Sequence, residues 1–168
     1  MKKVFYQSPF GSLILIVHGG RLFYCNWDTP DCLTKQKTIE KLLNGELEGP
    51  EDEIVLKEVT RQLDEYFAGE RKIFDIPLEL VGSDFRKKVW KSLLEIGYGS
   101  TSSYKKIGEK VGGANKSRAV AQACGANPVS IIIPCHRVVA SDGNSGGYTG
   151  GIDKKIALLN LETELLKQ

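Results

Sequence analysis

The chain has 168 residues, of which 41% are hydrophobic and 26% charged, with a formal net charge of +2. This is the composition of an ordinary soluble globular protein, so a disordered, collagen-like or fibrous chain is excluded. The charge is unevenly placed: residues 1–81 carry 10 Lys and Arg against 14 Asp and Glu (−4), and residues 82–168 carry 13 against 7 (+6), a balance that suits a polyanion on the second half.

Val4–Tyr6, Leu13–Val17 and Leu22–Trp27 are short apolar runs separated by Ser8-Pro9-Phe10-Gly11 and His18-Gly19-Gly20. They predict three strands in an antiparallel meander, with Gly19-Gly20 as a hairpin turn. A short helix is expected over Cys32–Leu43, and the acidic stretch Gly45–Glu53 reads as a loop. Apolar residues at 55, 56, 59, 63, 66 and 67 give Ile54–Phe67 one buried helical face. Ile73–Leu80, with Pro77, reads as extended. Val81-Gly82-Ser83 offers a break, and the boundary is placed there: an N-terminal α/β domain over 1–81 and a mainly helical domain over 82–168.

Ser83 or Asp84 caps a helix expected to run to Ile96, with Phe85, Val89, Trp90, Leu93 and Leu94 on its core face. Ser103–Val111 is a second helix. After Gly112-Gly113, Asn115–Cys124 is a third, which gives a helix-turn-helix arrangement. Its small residues, Ala114, Ala119, Ala121 and Ala123, suit either close approach to a groove or close packing on a neighbouring helix. Val129–Ile133 is a short buried run that reads as the strand before the cysteine; Pro134 keeps Ile133 extended, and Cys135-His136 reads as an extended segment whose adjacent side chains point to opposite faces. A loop with five glycines between 143 and 151 leads to a last helix, Ile152–Lys167.

Cys135 lies between Pro134 and His136, with Arg137 next. A thiol attacks only as thiolate, so His136 could take its proton and Arg137 could stabilise the anion. A half-buried structural cysteine beside a surface histidine is the alternative. Glu162 falls inside the apolar arc formed by Ile152, Ile156, Leu158, Leu159, Leu165 and Leu166 on a helical wheel. A carboxylate there needs a partner. Lys155 on the same wheel is one choice, and His136, in a Glu–His–Cys relay, is the other.

Ile133-Pro134-Cys135-His136-Arg137-Val138-Val139 resembles the active-site motif of the O6-alkylguanine-DNA alkyltransferases, which repair DNA by suicide methyl transfer. Ser103-Tyr104, Ser117-Arg118-Ala119-Val120, Asn127-Pro128, Gly146-Gly147-Tyr148-Thr149-Gly150-Gly151 and Glu162 agree in order and spacing, so the likeness covers nearly all of residues 83–163. It implies an α+β fold: a ribonuclease H-like three-stranded sheet with helices, then the helix-turn-helix domain. It implies that Cys135 accepts the alkyl group, His136 acts through a water as its base, and Glu162 orients His136. Tyr104 would assist the guanine leaving group and Asn127 would hold the loop geometry. Arg118 would replace a flipped nucleotide in the stack, with Ser103, Tyr104, Ala119 and Ala123 also at the DNA. Val138, Gly146, Tyr148 and Thr149 would form the base pocket. Ser130 stands where many members carry Pro, at the pocket wall.

The resemblance implies a monomer that enters the minor groove of duplex DNA, flips out O6-alkylguanine (and O4-alkylthymine) and needs no cofactor. A base alkylated on its pairing edge costs less to extrude than a normal one. Two other classes share these residues. A regulator would need a sequence-specific site, and a cysteine hydrolase would turn over instead of being consumed. His18, Cys25 and Cys32 lack a zinc-site spacing, so no metal is expected. Lys2-Lys3 is interrupted too soon by Gln7-Ser8-Pro9 to open a signal peptide, and four cysteines make no disulfide framework; a cytoplasmic location is expected.

Overall fold

The computed structural model describes residues 1–166, and the chain divides into two units, Met1–Val81 and a second that begins at Gly82. Lys167, the expected end of the last helix, lies outside the described residues, as do the side chains of Ala114 and Leu165.

The first unit opens with strands β1 (Lys2–Ser8), β2 (Gly11–His18) and β3 (Arg21–Trp27), antiparallel in the order β1-β2-β3. The strands run longer than their apolar cores, because the polar ends continue the ladder: Lys2 pairs with Val17 and Ser8 with Gly11. β2 is buried over Leu13–Val17. Helix α1 (Pro30–Leu42) and helix α2 (Pro50–Phe67) supply apolar faces, and Ile39, Val59, Leu63 and Tyr66 are buried. Helix α2 starts earlier than its apolar period indicates. Pro50 occupies the first turn, and Asp52 accepts the Gly49 amide at 3.3 Å, so acidic residues that read as loop form the helix start. The 73–80 segment runs along the outer edge of β3, where Leu22 N donates to Pro77 O at 2.8 Å and Glu79 N to Leu22 O at 3.0 Å. Pro77 thus sits at an edge, where its missing N–H costs nothing.

The second unit begins with α3 (Asp84–Leu93), capped by Ser83, whose hydroxyl accepts from Arg86 N at 3.4 Å. It is shorter than expected, and Leu94 is half-exposed. Strand β4 (Ser102–Ser103) leads into α4 (Tyr104–Val111), and Ser103 caps that helix by accepting Lys106 N at 3.1 Å. A 3-10 turn over Ala114–Lys116 precedes α5 (Ser117–Gly125). The turn closes tightly: a Cβ at Gly108 would lie 3.0 Å from the Gly113 carbonyl. Trp90 Nε1 donates to Ala123 O at 2.8 Å and locks α3 to α5.

Two expectations fail beyond α5. Residues 129–133 are buried but not a strand; Ile132 N bonds Ser130 O and Ile133 N bonds Val129 O, a tight loop in which Ile131 takes φ 73°. Cys135–Arg137 is a 3-10 turn, not an extended segment, with Arg137 N bonded to Pro134 O at 3.0 Å. Strand β5 (Val138–Val139) then pairs in parallel with β4. Helix α6 (Ile152–Leu165) buries Lys155, Leu158 and Glu162, while Ile152 and Ile156 are exposed. The predicted apolar arc is therefore displaced, and the buried stripe carries two charges.

Candidate active site

The β4–β5 pairing sets Ser102 beside Val138 and Ser103 beside Val139. Tyr104 follows one strand directly, and Cys135–Arg137 precedes the other. Residues far apart in sequence are thereby brought to one place.

Asn127 builds the loop that carries Cys135. Its Oδ1 accepts the Val129 amide at 3.0 Å, and its Nδ2 donates to Ile133 O at 2.9 Å and to Cys135 Sγ at 3.2 Å. One side chain therefore shapes the turn and presents a donor to the sulfur, which favours its thiolate form. Cys135 is 5% exposed, at the start of the 3-10 turn.

His136 is fully buried. Its Nε2 lies 2.7 Å from Glu162 Oε1, and its Nδ1 has no hydrogen-bond partner among the described residues. Burial holds the imidazole below its ordinary pKa, against the contrary pull of Glu162, so the ring is neutral at neutral pH. A neutral ring beside a carboxylate places its proton on Nε2 and leaves Nδ1 as a base.

Burial would raise the Glu162 pKa, but hydrogen bonds from His136 and Arg137 overcome that and hold it at about 2. Arg137 Nε and Nη2 each reach Glu162 at 2.9 Å, Arg137 Nη1 donates to Ile96 O at 2.6 Å, and the Gly99 amide reaches Glu162 Oε2 at 3.1 Å. Glu162 chooses His136 over Lys155. Arg137 does not face the thiol as a stabilising cation; its guanidinium is committed to Glu162 and Ile96. Its role was hidden because adjacent residues of an extended strand would diverge, whereas a 3-10 turn lets His136 and Arg137 reach one carboxylate.

Tyr104 is half-buried, and burial together with the neighbouring Cys124 and Cys135 pushes its hydroxyl up to about 12. A Cβ at Gly146 would come within 2.9 Å of that hydroxyl, so the glycine loop is fitted around it. Lys155 closes the other side: its ammonium donates to Val138 O at 2.6 Å and Gly147 O at 3.3 Å. Val138 is buried, and Tyr148 is partly exposed. The Thr149 hydroxyl donates to Gly125 O at 3.0 Å, tying the loop to the end of α5.

Of the residues expected at DNA, Arg118 is exposed on the first turn of α5 and has no ion-pair partner among the described residues. Ser103 and Ala119 are partly exposed. Ala123 is 1% exposed and turned inward, with its carbonyl on Trp90, so it is not a surface residue. The His18, Cys25 and Cys32 side chains are employed apart: His18 faces Asp52 and Glu46, Cys32 Sγ lies 3.4 Å from Asn26 Oδ1, and Cys25 is buried.

Two family descriptions match. "6-O-methylguanine DNA methyltransferase, ribonuclease-like domain" covers residues 1–80, and "6-O-methylguanine DNA methyltransferase, DNA binding domain" covers residues 84–164. A methylated-DNA–protein-cysteine methyltransferase of Mycobacterium leprae is 44% identical over 156 residues, 93% of this chain and 88% of the relative. One from Methanosarcina acetivorans is 40% identical over 157 residues, covering 94% and 95%. Among solved structures, Mycobacterium tuberculosis OGT in complex with DNA superposes with a TM-score of 0.80 at 39% identity, covering 96% of this chain and 92% of that one.

Proposed function

The chain belongs to the 6-O-methylguanine DNA methyltransferase family, and we propose that Cys135 is the cysteine that receives the alkyl group. The protein is a methylated-DNA–protein-cysteine methyltransferase, which repairs DNA by moving a methyl group from the base to itself. The observation that carries the residue assignment is a pair of hydrogen-bonded side chains at successive positions, Cys135 held by Asn127 and His136 held by Glu162. It supports a neutral histidine, with Nδ1 available as a base, in the residue that follows a thiol already receiving a hydrogen bond.

The partner is duplex DNA bearing O6-alkylguanine, with O4-alkylthymine as a second lesion. Helix α5 enters the minor groove, and Arg118 fills the space left by the extruded nucleotide. The base enters between Tyr104 and the 146–149 loop, with Val138 at its edge. His136 Nδ1 takes the Cys135 proton through one water. The sulfur then attacks the alkyl carbon; the C–S bond forms as the C–O6 bond breaks, and the electron pair passes to guanine. Tyr104, un-ionised at neutral pH, donates its proton toward the leaving base. The thioether at Cys135 is stable, so each monomer acts once and needs no cofactor.

A cytoplasmic location fits this chemistry, because the acceptor must stay a reduced thiol. No disulfide joins the four cysteines among the described residues, and no helix among them is long and apolar enough to cross a membrane.

The test is the yield of restored guanine from excess duplex carrying one O6-methylguanine. A plateau at one guanine per protein, absent in Cys135→Ser, is the expected result. Continued turnover would point to a hydrolase, and repair by Cys135→Ser would remove Cys135 from the acceptor role.

A further inference from the structure

Lys155 is fully buried on α6. Its ammonium donates to two neutral carbonyls, Val138 O and Gly147 O, and no carboxylate among the described residues pairs with it. Glu162, two turns along the same face, is occupied by His136 and Arg137. A buried ammonium whose hydrogen-bond acceptors are neutral carbonyls is costly and calls for a negative charge nearby.

The ionisable groups that face it come from every element around it. From α4 there is Tyr104, whose ring centroid lies 5.9 Å from Nζ. From α5 there is Cys124, and from the 3-10 turn there are Cys135 and His136; burial holds the Lys155 pKa below its ordinary range, and negative charge at Cys135 or Cys124 pulls it back up. Burial pushes the Cys124 thiol well up, and Tyr104 stays protonated at neutral pH. His136 is neutral. Cys135, which receives the Asn127 hydrogen bond, is therefore the group best placed to become the anion.

We propose that Lys155 is a positioning residue that supplies the positive charge against which Cys135 ionises, while the same ammonium pins the glycine loop to β5. The inference rests on reading Cys135 as the alkyl acceptor. It assigns one side chain two tasks that must coincide in a single-turnover site. The thiolate is favoured only where the loop that receives the base is also in place. Burial holds His136 below its ordinary pKa, and the Lys155 charge adds to that after Arg137.

The test measures the rate of Cys135 carbamidomethylation by iodoacetamide against pH, in wild type, Lys155→Met and Lys155→Arg. Circular dichroism and Tm report on folding. The midpoint in Lys155→Met should rise by at least about one pH unit, about a tenfold loss of thiolate near neutral pH, and Lys155→Arg should move it back toward wild type. A folded Lys155→Met protein that reacts more slowly at every pH, with its midpoint unmoved, would overturn the proposal and leave a purely structural lysine. A second measurement needs no variant. In wild type labelled with 13Cε-lysine, the Lys155 titration midpoint should fall once Cys135 is capped; an unchanged midpoint would also overturn it. Because iodoacetamide needs no DNA, failure to take a methyl from O6-methylguanine would count against the acceptor assignment and leave the Lys155 result to be judged separately.

Discussion

Glu162 accepts hydrogen bonds from His136, both arms of Arg137 and the Gly99 amide, so replacing it disturbs charge and geometry together. Glu162→Gln keeps the shape but faces amide hydrogens toward donors and leaves the Arg137 charge unmatched. The expected loss is about 3–5 kcal/mol of stability and a fall of about 10²–10⁴ in single-turnover rate. Denaturant midpoints and quenched-flow repair rates check both. Acid should act in two stages. His136 has its folded pKa below the ordinary 6.5, so the unfolded chain takes up protons first, and stability present above pH 6.5 declines as the pH falls through that value. Glu162, at about 2 against 4.5, adds a further loss below pH 4.5. Denaturant midpoints measured across pH should show the first decline in wild type and a much smaller one in His136→Asn. Gly146→Ala would force a Cβ against the Tyr104 hydroxyl at a backbone φ of 69°, so repair should slow by about 10–100-fold while the fold persists. Repair at wild-type rate would show that Tyr104 yields freely. The Cys-His-Arg motif was legible as chemistry, but Arg137's partner was not, because it depends on a 3-10 turn that local sequence does not announce.

At the level of elements, the apolar period succeeds where a helix or strand buries a plain apolar face, as in β2, α2 and the Val89–Leu93 stretch of α3. It fails on α6. There Lys155 and Glu162 lie buried with Leu158, and Ile152 and Ile156 face outward, because hydrogen bonding across the site outweighs apolar preference. It also fails over 129–133, where the Asn127 side chain satisfies the backbone of a loop as a strand partner would. Capping was more readable at Ser83, which accepts the amide three residues on as expected; Ser103, read as the first residue of its helix, caps α4 in the same way. Ser103→Ala should cost about 1 kcal/mol of stability, measured by denaturant unfolding. Arg118→Ala should slow repair of O6-methylguanine in duplex by about tenfold or more and leave reaction with the free base O6-benzylguanine unchanged. Equal slowing of both reactions would mean that Arg118 supports the pocket and not the flipped state.

For the molecule as a whole, charge follows the two units: the first is acidic and the second basic. Repair must occur in any flanking sequence, so phosphate contacts and groove shape carry affinity, and binding weakens with salt. Among exposed cations of the helix-turn-helix, Lys116→Ala should weaken binding of all duplexes alike and reduce the slope of log K against log salt by about one, as read by fluorescence anisotropy. An unchanged slope would place Lys116 off the DNA. The division of labour was visible in the sequence as a change of charge sign. The parallel pairing of β4 with β5, which joins Tyr104 to the Cys135–Arg137 turn, was not, because two-residue strands carry no periodic signal.

The central claim is that methyl transfer ends on one particular sulfur among four. Peptide mass spectrometry of the protein after reaction with a duplex holding a single O6-methylguanine tests it most directly. The account predicts one methyl group, on the peptide containing Cys135, with Cys25, Cys32 and Cys124 unmodified. A methyl on another cysteine, or unmodified protein beside repaired DNA, would contradict it.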